Sequence, residues 1–180
     1  MPEALKIHPL MPRCAAIRIE ATIVRPRSYH LELSYVITGQ LEELSLPRIE
    51  APQRADELWQ HTCFEAFIQT AHSEYYEFNF APTAAWAAYR FESYRRGKSS
   101  AATPAPVIRV HSEPDRYNLQ ASLQLESLYT PEQPLWHLGL SAVIEEKTGR
   151  LSYWALAHHS DQPDFHRSES FTHEFSPVGP

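Results

Sequence analysis

The sequence predicts an all-β protein, an antiparallel β-sandwich or jelly roll. Three observations carry that expectation: apolar residues recur with period two, turn-like segments separate the alternating runs, and no stretch shows the periodicity of an amphipathic helix. In YHLELSYVIT (29–38), Tyr29, Leu31, Leu33, Tyr35 and Ile37 fall on one face and His30, Glu32 and Ser34 on the other, the pattern of a half-buried strand. CAAIRIEATIV (14–24), YNLQASLQLESL (117–128) and WHLGLSAVIEE (136–146) repeat it. SEPDR (112–116) and EKTGR (146–150) read as turns, so VIRVH (107–111) should pair antiparallel with the run from Tyr117, and LGLSAVI with LSYWALA (151–157).

The middle of the chain is read in the same way. RADELWQ (54–60) allows one helical turn and no more. A strand should follow from Thr62, and it raises a question, because Glu65 sits between Phe64 and Phe67 where a carboxylate is costly unless paired or hydrogen-bonded. In YYEFNFAPTAAWAAYRFESYR (75–95), Phe78 and Phe80 take one face and Glu77 and Asn79 the other, an arrangement repeated with Trp86 and Arg90. Residues 47–52 and GKSSAATPAP (97–106) read as long loops, the second small, polar and expected to be mobile.

Composition narrows the function classes. A chain of 180 residues suits one domain, expected over 1–180, and 43% hydrophobic with 21% charged residues places it among folded rather than disordered chains. A formal net charge of −6 gives no general attraction to phosphate backbones, and the one dense basic run, Arg90 to Lys98, is interrupted by Tyr94 and Glu92; no nucleic-acid partner is expected. The first residues lack the apolar core of a signal peptide, and no run of about 18 apolar residues is present, so no membrane partner and a cytoplasmic location are expected. With only Cys14 and Cys63, a disulfide framework is excluded, and Cys63 reads as a small buried hydrophobe.

Chemistry concentrates in three segments: DELWQHTCFEAFI (56–68), residues 75–95, and YWALAHHSDQPDFHRSESF (153–171). Most of the aromatics read as core. Trp59 differs, because it precedes the polar Gln60, His61 and Thr62 and belongs at a loop edge. An aromatic face beside a carboxylate, an amide and a guanidinium is what a sugar cleft requires, since rings stack on a pyranose and planar polar groups bind its hydroxyls. The loop with His158, His159, Asp161, Asp164 and His166 allows a self-bonded polar loop, a ligand-facing rim or a metal site; its irregular spacing disfavours metal, and a rim is preferred over metal. Serine-hydrolase, phosphate-loop and zinc-protease motifs are missing, leaving only a carboxylate pair, Glu65 with Asp164 or Glu77, as a catalytic alternative.

The three segments, in this order, resemble the DOMON-like proteins related to family 9 carbohydrate-binding modules: a Trp before a T-C-x-E-x-F-I strand, a Y-x-E-F-N-x-A-P strand, and a closing F-H-x-x-E-x-F element. The match spans 56–175. The resemblance implies a jelly-roll β-sandwich and a non-catalytic module holding a small sugar or sugar-like ligand between aromatic rings, with help from a Glu and an Arg. On this chain it implies Trp59 and Glu65, with Arg90 as the guanidinium and Trp154 or Phe165 as the second ring. The full candidate set adds Asn79, Trp86, His158, Asp164, His166 and Arg167. No cofactor is expected; the alternative is a haem or metal module on His158, His159 and His166, since Met1 and Met11 lie outside the match. Glu65 then has two readings: a pocket carboxylate that pairs with Arg90 until ligand arrives, or a permanent Glu65–Arg90 pair that orders the core.

Overall fold

The computed structural model describes residues 1–11, 14–70, 73–128 and 135–177. Thirteen strands run in chain order among them: β1 Glu3–Ile7, β2 Ile17–Arg27, β3 His30–Gly39, β4 Gln53–Arg54, β5 Cys63–Gln69, β6 Tyr75–Phe80, β7 Ala85–Phe91, β8 Ser99–Ser100, β9 Val107–Ser112, β10 Arg116–Gln124, β11 Trp136–Glu145, β12 Leu151–Ala155 and β13 His173–Phe175. The described helices are single 3-10 turns, one of them Leu58–Gln60 in the segment where one helical turn is expected. Nearly all-β is therefore the observed class. The predicted hairpins form, with Tyr117 opposite Ser112 and Val143 opposite Tyr153.

Strand order is β4-β7-β6-β5-β11-β12-β1-β2-β3-β10-β9, a curled sheet whose two halves meet at β1. β1 pairs with β12 along one edge and β2 along the other. The expectation of an antiparallel sheet meets one exception: β4 runs parallel to β7, which makes the sheet mixed. That short pairing arises because the 47–52 link brings Arg54 beside Trp86 in the same direction as β7, where Ala55 N–H donates to the Trp86 carbonyl at 2.9 Å.

The halves face each other across the main core. Leu31, Leu33, Tyr35 and Ile37 of β3, the face expected from period two, are buried against Phe64, Ala66 and Ile68 of β5 and Phe78 and Phe80 of β6. The Tyr35 hydroxyl crosses the core to donate to the Glu65 backbone carbonyl at 2.7 Å, and Tyr117 stacks on Phe64 at 6.2 Å. A buried phenol is tolerated when it finds such an acceptor.

The β5–β6–β7 half is also covered on its other face, by a second cluster containing Phe67, Tyr75, Tyr89, Phe91, Val143, Phe165 and Phe171. Both faces of these strands are therefore buried, and polarity rather than burial distinguishes them. Gly139 permits this cover, since a Cβ there would stand 2.6 Å from the Phe171 ring that stacks on Phe67. The segment 97–106, expected to be a mobile loop, is instead held to the sheet at its start: β8 pairs with β7, and buried Ala101 donates its N–H to the Ala88 carbonyl at 2.9 Å.

Candidate functional site

On this second face the cover leaves an open cleft of about 650 Å³. Its floor is set by strand parity. Residues 63, 65 and 67 of β5 point away from the main core, and the register pairs Glu65 with Asn79 and Phe67 with Glu77, so the two glutamates are diagonal neighbours on adjacent strands. Both line the cleft although only 3% and 5% exposed. Glu77 accepts from Asn79 Nδ2 at 2.8 Å, and Glu65 accepts from the Ser141 hydroxyl at 3.4 Å. Burial and, for Glu65, the charge of Glu77 push both carboxyls above the usual carboxylate range, Glu65 the further. Two like charges this close cannot both ionise cheaply, so the pair retains a proton well above the pH at which a free carboxyl loses it.

Glu65 has no arginine partner among the described residues, and Arg90 is not near it. The register sets Arg90 opposite Tyr76, on the face that carries Phe78, Ala88 and Trp86, and its guanidinium binds Glu74. The expected Glu65–Arg90 pair is thereby corrected. Glu65→Gln is expected to change stability by less than about 1 kcal/mol, since it keeps the shape of the side chain and breaks no ion pair. A broken buried ion pair would instead cost about 3–5 kcal/mol, so thermal denaturation of the variant separates the two cases.

Three segments wall the cleft. The turn at Leu58–Gln60, entered through left-handed Glu57 (φ 59°), sets Trp59 at the cleft with 45% of its surface exposed. This turn is moored to β7, for Asp56 accepts from the Tyr89 hydroxyl at 2.5 Å and Leu58 packs on the second cluster. The second wall follows β7: the chain turns through left-handed Arg95 and Gly97, bringing Arg95 and Lys98 over the sheet. Lys98 Nζ lies 3.8 Å from the Tyr89 ring centroid, and Arg95 donates to Asp164 Oδ1 at 2.8 Å.

The third wall is the His-rich loop, tied to the N-terminal strand by His158, which meets the Lys6 carbonyl at 2.8 Å, and by His8, which meets that of Ser160 at 3.1 Å. Phe165 and His166 line the cleft with Tyr153 of β12. Asp164 braces the wall, accepting from Tyr94 at 2.5 Å and from Arg95. Burial alone would raise its pKa, but these hydrogen bonds and the His166 N–H outweigh it and hold the carboxyl below its usual range.

His166 Nδ1 meets the Tyr75 hydroxyl at 2.8 Å, and Nε2 lies 3.8 Å from Glu77 Oε2. Burial lowers its pKa to about 4 from 6.5. The unfolded chain thus takes up a proton near pH 6.5 that the folded chain refuses until about pH 4. Stability should fall across that interval as pH drops, by on the order of 3 kcal/mol from this group. An NMR titration of the His166 ring that stays neutral down to about pH 4 is the expected result.

The candidate residues are therefore distributed as follows. Trp59, Glu65, Phe165 and His166 line one cleft; Asp164 stands behind its wall; and Asn79 is fully buried under the floor. Arg167 lines a neighbouring groove with Tyr94 and Phe171, its Nε 3.6 Å from Asp164. Trp86 and Trp154 belong to the main core, Trp86 beneath Arg54 at 5.2 Å and Trp154 bonded to the Ser152 hydroxyl at 2.9 Å. Of the two rings considered for the second stacking position, only Phe165 reaches the cleft, and the ring from β12 that does so is Tyr153, one residue before Trp154. Sequence patterns do not single out Arg95, Lys98 and Tyr153; the signals for them are the basic run ending at Lys98 and the parity of 153 against 154. His158 engages Lys6 outside the cleft, His159 is exposed, and the two nitrogens of His166 face Tyr75 and Glu77.

This arrangement sits on a known fold. A Bacteroides uniformis protein proposed to bind carbohydrate superposes with a TM-score of 0.61 at 12% identity, over 94% of this chain and 82% of that one. A family 9 carbohydrate-binding module from Caldicellulosiruptor kristjanssonii, in complex with glucose, superposes at 0.53 with 11% identity over 97% and 83%. The same kind of module from that organism with cellotriose gives 0.53 and 11% over 89% and 74%. The chain shares the fold of carbohydrate-binding modules. Its sequence matches no protein-family model and no curated protein.

Proposed function

We propose that this protein is a non-catalytic carbohydrate-binding module of DOMON-like, jelly-roll type, and that its ligand is a small sugar or sugar-like molecule seated in the cleft. The observation that carries the reading is the pairing of an exposed Trp59 with a buried polar floor, Glu65 and Glu77, inside one cleft. The indole supplies a face for the apolar C–H side of a pyranose, with Tyr153 and Phe165 across the cleft, while the carboxyl pair and Arg95 serve the hydroxyls. The fold shared with modules that hold glucose and cellotriose supports this choice of ligand class.

Each hydroxyl exchanges water for protein, so each hydrogen bond contributes a net of only about 0.5–1.5 kcal/mol. Dissociation constants of roughly 10 μM to 1 mM are expected for monosaccharides. Ligand-detected NMR against mono- and disaccharides, sugar phosphates and nucleotide sugars, followed by titration calorimetry, tests the reading. A Soret band with stoichiometric iron in the purified protein would count against it. The neighbouring glutamates favour one second reading, a hydrolase with Glu65 and Glu77 as acid and base. Release of new reducing ends from oligosaccharides, abolished in Glu77→Gln, would support that reading over the first.

A further inference from the structure

Two carboxylates lie at the cleft floor, each more than nine-tenths buried; among the described residues neither forms an ion pair with Lys or Arg, and the charges of Arg95 and Lys98 reach them only at longer range. The nearby cations are committed elsewhere: Arg95 to Asp164 at 2.8 Å, and Lys98 to the face of Tyr89 at 3.8 Å. Among the described residues, the Glu65 carboxyl has only the long hydrogen bond from Ser141. Aromatic surface completes the enclosure, with Trp59, Tyr153, Phe165 and Phe91 lining the same volume. Aromatic faces attract a cation, and a buried acid is stabilised by one. No group of three or more His, Cys, Asp or Glu among the described residues suits a metal ion, so an organic cation fits this site better.

Resting on the reading of the cleft as a sugar site, we propose that it selects ligands carrying a protonated amine, an amino sugar over its neutral hydroxyl analogue, with the ammonium seated between Glu65 and Glu77. The ammonium donates to both carboxylates and takes the place of the proton that burial and mutual repulsion hold on the pair when the cleft is empty. That proton leaves to solvent, and charge balances: one cation enters and one proton departs. The other titratable groups facing the pair do not take its place. His166 is held neutral by burial, the Cys63 thiol and Tyr75 hydroxyl are pushed up by burial, and Asp164 is held ionised against Arg95.

Titration calorimetry of the full chain with glucosamine, N-acetylglucosamine and glucose, at slightly acidic pH in two buffers of different ionisation enthalpy, tests this. Glucosamine should bind at least about tenfold more tightly than either neutral sugar, as expected for hydrogen bonds to a charged group. Its heat should differ between the buffers, reporting the released proton, while the heat for glucose should not. In Glu77→Gln the ratio of glucosamine to glucose affinity should fall towards one. If that variant does not fold, the buffer comparison on the unaltered protein decides. Glucose or N-acetylglucosamine binding as tightly as glucosamine, or a buffer-independent glucosamine heat, overturns the amine preference and leaves the sugar cleft standing. No binding of any of the three, or binding indifferent to Trp59→Ala, overturns both.

Discussion

Replacing Trp136 by alanine is expected to destabilise the protein by about 3–5 kcal/mol, the cost of deleting a large ring from a core that cannot collapse around the gap. Trp136 is the first residue of β11, is fully buried, and lies in the main cluster. Its ring meets Phe175 edge-on at 5.8 Å, and the same two residues are register partners, so the indole holds β13 against the sheet as well as filling the core. Typical domains have only about 5–15 kcal/mol in hand, so the variant should unfold at markedly lower urea concentration. A loss below about 1 kcal/mol would show that the core repacks and that β13 is held by other contacts.

The opposite division of effects is expected at Trp59. Trp59→Ala should leave the fold nearly as stable, because almost half of the side chain is already in water and the turn that carries it is moored through Asp56 and Leu58 instead. Binding should suffer by about 2 kcal/mol or more, roughly thirtyfold, as when an aromatic anchor is cut from an interface. Calorimetry on the folded variant, with whichever sugar the unaltered protein binds, is the measurement. Unchanged affinity would mean that the cleft between Trp59, Glu65 and Phe165 is not the binding site, and the neighbouring groove lined by Tyr94, Arg167 and Phe171 would then be the next place to test.

The contrast between the two tryptophans is written in their neighbours along the chain. Trp136 opens an alternating apolar run, whereas Trp59 stands before three polar residues, and the two environments follow. Strand identity and the inward face of β3, β6, β10 and β11 are equally legible, because period-two alternation is a local property that each strand carries in its own residues. Even Glu65 stands out, since a carboxylate among phenylalanines needs a reason.

What the alternation leaves open is which partners a face will meet. Arg90 shares parity with Trp86 and Ala88, and only the register of β6 against β7 shows that this is the face turned from Glu65. Arg95 reaches the cleft instead, through a left-handed turn whose direction depends on Asp164, 69 positions further along the chain. β1 has a single buried side chain, Leu5, and is a strand only because β12 and β2 both offer it an edge. By itself the sequence determined the class, most strands, the carboxylate set among core phenylalanines and the exposed indole. The tertiary structure decided the second carboxylate's partnership, the cations and the far wall of the cleft, because those depend on hydrogen-bond register and on packing between segments distant along the chain, where no local period reaches.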